Sequence, residues 1–228
     1  LCAMVNAGCI LPADADAASG IVWGTGESAP GQDSLAVGTN AKAKKSHAVA
    51  QGTEAKADGV YALAFGYKVQ TLANYAIAMG HQAKAGANAI GGVAIGSSSV
   101  VEGGHGGGLG DQAESKNKQT IAVGLKSVSS GEQSISIGHQ AKAIGNNSIA
   151  EGAGAKGYAK DGVAIGNNAE SGTADNKDPR IPTIPSNNGV AVGNSAKASG
   201  GSSVSVRNDS IGNGPSSVAI GNAATAND

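Results

Sequence analysis

A short alternation of large and small residues returns along most of the chain. It reads Ser34-Leu35-Ala36-Val37-Gly38, Tyr75-Ala76-Ile77-Ala78-Met79-Gly80, Gly162-Val163-Ala164-Ile165-Gly166 and Ser217-Val218-Ala219-Ile220-Gly221. Large apolar residues stand three and one before the glycine, and a small residue, mostly Ala, stands between them. Alternation with period two predicts a short strand with two unlike faces. A second run follows four to six residues later, as in Asn40-Ala41-Lys42-Ala43, His81-Gln82-Ala83-Lys84-Ala85 and His139-Gln140-Ala141-Lys142-Ala143. Gly, Asn and Ser fill the gaps, where tight turns need positive φ.

The glycines set the register. Gly24, Gly38, Gly52, Gly66 and Gly80 are 14 apart, and Gly96 follows after 16. Gly110, Gly124, Gly138, Gly152 and Gly166 resume the step of 14. Gly193 comes 27 later, read as one coil of 14 and one of 13, and Arg207 and Gly221 continue at 14. A repeat held this long predicts stacked, near-identical units. A glycine in each repeat would cost a helix ~1 kcal/mol every time. Each 14-mer is therefore two short strands and two turns, a flat coil that pairs in parallel with the next. The predicted fold is an all-β parallel β-roll of about 14-residue coils, spanning 20–226, after an N-terminal segment 1–19. The left-handed β-helix of hexapeptide acyltransferases is excluded, because its triangular coils take about 18 residues.

Composition sharpens this. Glycine supplies 37 of 228 residues, aromatics 3% and charged residues 14%, with one Trp and one Phe. So few large side chains cannot fill an ordinary globule. A net charge of −1 with only 6 Pro argues against disorder and against a nucleic-acid binder. No stretch approaches 18 apolar residues, so none spans a bilayer as a helix. Cys2 and Cys9 are too few for a disulfide scaffold; pairing within the chain, bridging of subunits and free thiols all stay open. Leu1 to Leu11 is weakly apolar and Ala13-Asp14-Ala15 resembles a cleavage site, but no basic n-region precedes it. Retained mature sequence is expected rather than a signal-peptide remnant.

The large side chains of each coil are expected inside, leaving the alanines between them outside. Ala36, Ala50, Ala64, Ala78, Ala94, Ala122, Ala150, Ala164, Ala191 and Ala219 form that row. A face of methyls is too apolar for water and suits close approach of another subunit, so the expectation is an obligate oligomer with this row in the interface.

Asn147-Ser148-Ile149-Ala150-Glu151-Gly152, Ser134-Ile135-Ser136-Ile137-Gly138 and Ser217-Val218-Ala219-Ile220-Gly221-Asn222 resemble the head repeats of trimeric autotransporter adhesins, the YadA-like head above all. The resemblance covers about residues 20 to 226. It implies a left-handed roll assembled as a homotrimer on the surface of a Gram-negative bacterium, with an outer-membrane anchor outside this chain. It further implies a non-enzymatic head that binds collagen, fibronectin and laminin and supports autoagglutination, without a cofactor. A structural spacer without its own host ligand is the alternative. Stalk heptads and barrel strands do not occur in this sequence, so it would be the passenger head alone.

Three departures stand out. Gly103-Gly104-His105-Gly106-Gly107-Gly108-Leu109-Gly110 replaces the motif while the repeat phase survives, which predicts that one coil is degenerate or bulges outward, an excursion near 97–118. A second excursion is expected at 173–188, where Pro179, Pro182 and Pro185 cannot pair in a central strand. Arg207 replaces a repeat glycine and predicts an irregular coil.

Lys42, Lys56, Lys84, Lys142, Lys156 and Lys197 each lie four after a repeat glycine, so stacking lines them up. They form a basic strip for acidic or sulfated ligands, or an edge made soluble by charge; Glu114 and Glu170 in the same slot favour the latter. Arg180, Ile181 and Ile184 in the second excursion are further ligand-binding candidates, since loops on a rigid scaffold concentrate binding residues. His81 and His139 share a slot four coils apart, ~19 Å at the strand spacing and too far to share a metal. His47 and His105 lack Cys, Asp or Glu at ligand spacing. Gly152-Ala153-Gly154-Ala155-Lys156-Gly157 fits Gly-x-Gly-x-x-Gly, but no helix follows to hold a phosphate. Gly107-Gly108-Leu109-Gly110-Asp111 is a poor calcium repeat, its Asp one position early. No Ser groups with His and a carboxylate, so no catalytic triad is expected.

Overall fold

The computed structural model describes residues 20–173 and 187–227. It contains two compact units, Leu1–Gln112 and Ala113–Asp228. Cys2, Cys9, Arg180, Ile181 and Ile184 lie outside the described residues.

In the first unit, three-residue strands run from Ile21–Trp23 through Leu35–Val37, Val49–Gln51, Leu63–Phe65, Ile77–Met79 and Val93–Ile95 to Gly107–Leu109. Each pairs in parallel with the next to form the first sheet. Two-residue strands build a second sheet, from Lys42–Ala43 through Lys56–Ala57, Gln70–Thr71 and Lys84–Ala85 to Val100–Val101. From Leu35 on the chain alternates between the sheets, so each later coil gives one strand to each; the first coil reaches the second sheet only through an isolated bridge from Ser28 to Lys42. The second unit repeats this plan, with strands from Ile121–Val123 to Val218–Ile220 in its first sheet and from Glu114–Ser115 to Thr225–Ala226 in its second. The protein is thus an all-β parallel solenoid, without a helix among the described residues.

Pairing follows the 14-residue step, as in Leu35 opposite Val49 and Ile135 opposite Ile149. The step of 16 is absorbed at a corner, where Ala89 N–H donates to Gly86 O (3.1 Å) and Gly92 N–H to Ala89 O (2.8 Å), two turns in succession. The step of 27 is one coil rather than two. Val163 pairs directly with Val190 and Glu170 with Lys197, so the ladder passes from one side of the insertion to the other. Extra residues accumulate at a corner because only the strands must stay in register.

For the glycine-rich stretch near 97–118 the excursion is corrected, and the coil is degenerate in sequence only. Gly107–Leu109 is a regular strand paired with Val93–Ile95. Backbone pairing does not depend on side chains, so loss of the motif leaves the ladder intact. The coil of Arg207 is also regular, since Val204–Val206 pairs on both sides. The irregularity is confined to Arg207 itself, at φ 96°. That slot favours glycine for two reasons. Gly38 sits at φ 121°, and a Cβ there would come 2.8 Å from the carbonyl of Gly52 in the next coil.

The interior corrects the predicted sidedness. Ala36, Ala50, Ala64, Ala78, Ala94, Ala122, Ala150, Ala164 and Ala191 are 0% exposed and Ala219 3%, each covered by its own chain. The row expected to face another subunit is the core. The slots four before the glycine and three and five after it also point inward, with Ala48, Ala41 and Ala43 as examples. Tight turns bring the sheets close, and among the described residues the largest fully buried side chains are only Val69, Val101, Thr71 and Thr120, with Val101 filling space a facing glycine leaves open. Its Cγ1 lies 3.0 Å from where a Cβ on Gly92 would stand. The large residues are displaced to the outer face of the first sheet, where Trp23 is 52% and Ile220 66% exposed.

Candidate functional site

Each unit presents two outer faces of opposite character. The face of the first sheet is apolar. In the first unit it carries Leu35, Val49, Leu63, Ile77 and Val93 in one line and Trp23, Val37, Phe65, Met79 and Ile95 in the next. The second unit continues the pattern with Ile121, Ile135, Ile149, Val163, Val190 and Val204. Gln51 lies between Val37 and Phe65, and Glu151 between Ile137 and Ile165, as polar interruptions. Most of these apolar residues are half-buried, and a partly exposed apolar strip of this length marks an interaction surface.

The face of the second sheet is charged. Lys42, Lys84, Lys142 and Lys197 are exposed, and Lys56 and Lys156 half-buried. Lys42 stands directly beside Lys56, and Lys142 beside Lys156. Gln70 separates Lys56 from Lys84. Glu170 stands between Lys156 and Lys197, with its carboxylate 3.8 Å from Lys156 Nζ. Asp58 receives both Lys44 (3.3 Å) and Lys56 (3.0 Å). Two open grooves cross these faces. One, of about 380 Å³, is lined by Asn40, Lys42, Lys44, Glu54, Ala55 and Lys56. The other, of about 410 Å³, is lined by Lys156, Asn168, Glu170, Ser195, Lys197, Asp209 and Ile211.

The corners of the first unit carry stacked rings that the sequence reading passed over. His47 stacks on Tyr61 at 4.5 Å and Tyr61 on Tyr75 at 5.5 Å, centroid to centroid. At the opposite corner Tyr67 stacks on His81 at 5.4 Å, and Lys68 Nζ lies 5.1 Å from the Tyr67 ring centre. The Lys68 ammonium is held above its ordinary pKa by its side-chain hydrogen bond with Tyr67 and then by the Glu54 charge. The signal lay in the repeat itself, for His47, Tyr61 and Tyr75 all stand five before a repeat glycine. Of the other histidines, His139 is exposed at its corner, and His105 Nδ1 lies 3.1 Å from where a Cβ on Gly91 would be. Among the described residues no group of three or more His, Cys, Asp and Glu could hold a metal ion.

The sequence model of the YadA head domain repeat (2 copies) matches residues 29–50, 43–68, 129–155, 186–206 and 213–228. The chain carries repeats of the YadA head type at several positions. The matches cover just under half of it, and the ladder carries the same register through coils that they leave out, such as Ile77 opposite Val93. No curated protein matches the chain. YadA-like heads belong to trimeric autotransporter adhesins, a non-enzymatic family of adhesin-type surface proteins. No helix among the described residues is long and apolar enough to cross a membrane.

Proposed function

We propose that this YadA-like head is the adhesive part of a homotrimer carried on the bacterial surface, with its anchor elsewhere in the full protein. The observation behind the reading is the apolar outer face of the first sheet, joined to the YadA repeat. Most coils set two large apolar side chains, mostly half-buried, on this outer face, while the interior is closed with alanine or serine. Burying such a strip stabilises by roughly 25 cal/mol per Å². Packing three first sheets together would remove it from water and leave the second sheets outward. In this reading the head engages collagen, fibronectin or laminin through repeated weak contacts, and avidity across three subunits raises the affinity. The same display supports autoagglutination.

Sedimentation equilibrium at micromolar concentration is expected to give three times the chain mass, and a folded monomer would overturn the assembly. Solid-phase binding to collagen, fibronectin and laminin is expected to saturate for at least one of them. A trimer that binds none of the three would instead be a spacer holding another module.

A further inference from the structure

The charged faces of the two units are not equivalent. In the first unit the central row of the second sheet reads Lys42, Lys56, Gln70, Lys84, Val100, with no carboxylate in it. In the second unit Glu170 interrupts the corresponding row between Lys156 and Lys197. The first unit adds Lys44 beside the row, and the Asp58 carboxylate is shared by Lys44 and Lys56. Glu54, on the rim of the groove, is engaged by Lys68 at 3.8 Å. Lys42 and Lys56 are direct cross-strand neighbours, as Lys142 and Lys156 are in the second unit, and like charges so placed repel unless an anion lies over them.

We propose that this face of the first unit binds a sulfated polysaccharide, with Lys42, Lys44, Lys56 and Lys84 as its cationic contacts. Lys42 and Lys56 are one coil apart, ~4.8 Å along the stacking direction, and Lys84 lies two coils beyond Lys56, so the charges fall on one line that suits a linear polyanion. The groove between Lys42, Lys44 and Lys56 is open, so a chain can lie across it without an end having to enter. Nucleic acid fits less well: Lys42, Lys56, Gln70, Lys84, Lys44 and Leu72 offer no aromatic ring on which a base could stack. The second sheet also remains outward whether or not the first sheets associate, so the proposal stands apart from the matrix-protein reading.

The test uses the full chain and immobilised heparin as the probe. Binding is expected to be saturable and to weaken steeply with salt. Lys42→Gln/Lys56→Gln/Lys84→Gln should lower affinity about tenfold or more, and Lys142→Gln/Lys156→Gln/Lys197→Gln less than about threefold. Circular-dichroism melts establish that both variants fold. De-sulfated heparin should fail to compete, and binding to collagen or fibronectin should survive the first triple substitution. Equal losses in the two variants, an unchanged first variant, full competition by de-sulfated heparin, or tighter binding of duplex DNA than of heparin would each overturn the proposal.

Discussion

The two units share one backbone plan and fill it differently. The first has a continuous core of Ala29, Ala36, Ala41, Ala43 and their successors, up to Val101. Its buried hydroxyls among the described residues are only Ser34, Thr71 and Ser99. The second unit breaks the apolar core into small groups such as Ala143, Ala150 and Ala155. Between them it buries Ser115, Thr120, Ser127, Ser129, Ser134, Ser136, Ser148, Ser171, Ser203, Ser205, Ser210 and Ser217. Position for position, a methyl and a hydroxymethyl are exchanged without change of register: Ala64 lies between Ala50 and Ala78, and Ser136 between Ala122 and Ala150. The interior therefore selects for size before polarity. At some corners the hydroxyl finds a carbonyl three residues back, whereas Ser148 and Ser217 in the same slot have no partner. Ser34 donates to Gly31 O at 2.6 Å, Ser134 to Gly131 O at 2.6 Å and Ser203 to Gly200 O at 2.7 Å. Buried polar groups that find partners cost little.

The largest effect should come from breaking the size rule in both units. Ala64→Leu in the first and Ser136→Leu in the second add several heavy atoms to an interior with no room for them. Overpacking commonly costs 1–3 kcal/mol, and here about 3 kcal/mol or more is expected, because the sheets are tied at every corner and cannot spread. Urea denaturation at fixed protein concentration should show similar losses for the two. A substantially smaller loss at Ser136 would mean that the second unit is loosely packed, and size would no longer explain both cores.

The next effect separates one coil of the second unit from all its neighbours. Arg207 occupies the glycine slot at φ 96°, a region L-residues rarely adopt, while Gly193 and Gly221 hold the same slot at φ 142°. Arg207→Gly should relieve strain of roughly 1–2 kcal/mol, partly offset by the freedom glycine gives the unfolded chain. A melting temperature that falls in the variant would show that the guanidinium makes compensating contacts worth more than the strain.

Much of this fold was legible. The step of 14, the two strands per coil and the glycine slot follow from the alternation itself. The inside of each coil was not, because alternation states that two faces differ and is symmetric as to which is buried. The choice of Val and Ile for the core assumed an ordinary distance between sheets, and the tight corners remove it. Corners hid a second feature. The sequence reading gave positive φ to Gly, Asn and Ser, yet His47, Tyr61, Lys68, Tyr75, Gln119 and Lys126 adopt φ of 54–59°. Stacked coils impose that conformation, and in the first unit the rings so placed stack on one another. The lysine row was legible as a line, but its interruption by Glu170 acquires meaning only once the register places that carboxylate between two lysines.

The smallest effect tests the polarity half of the comparison, within the second unit alone. Ser134 Oγ lies 2.6 Å from Gly131 O and 2.6 Å from Ser129 Oγ, so both of its hydrogen-bonding roles are occupied. Ser136 Oγ, two residues on and equally buried, has no partner. Removing a satisfied hydroxyl forfeits its bond, whereas removing an orphan recovers the desolvation penalty of burying it. Ser134→Ala should therefore destabilise and Ser136→Ala stabilise, each by about 1 kcal/mol. Both create the alanine that the first unit already has in these slots, at Ala62 and Ala64. Opposite signs for substitutions of the same size would show that hydroxyls in this core are kept by their carbonyl partners. Equal signs would mean that the serines of the second unit are governed by something other than the hydrogen bonds its corners provide.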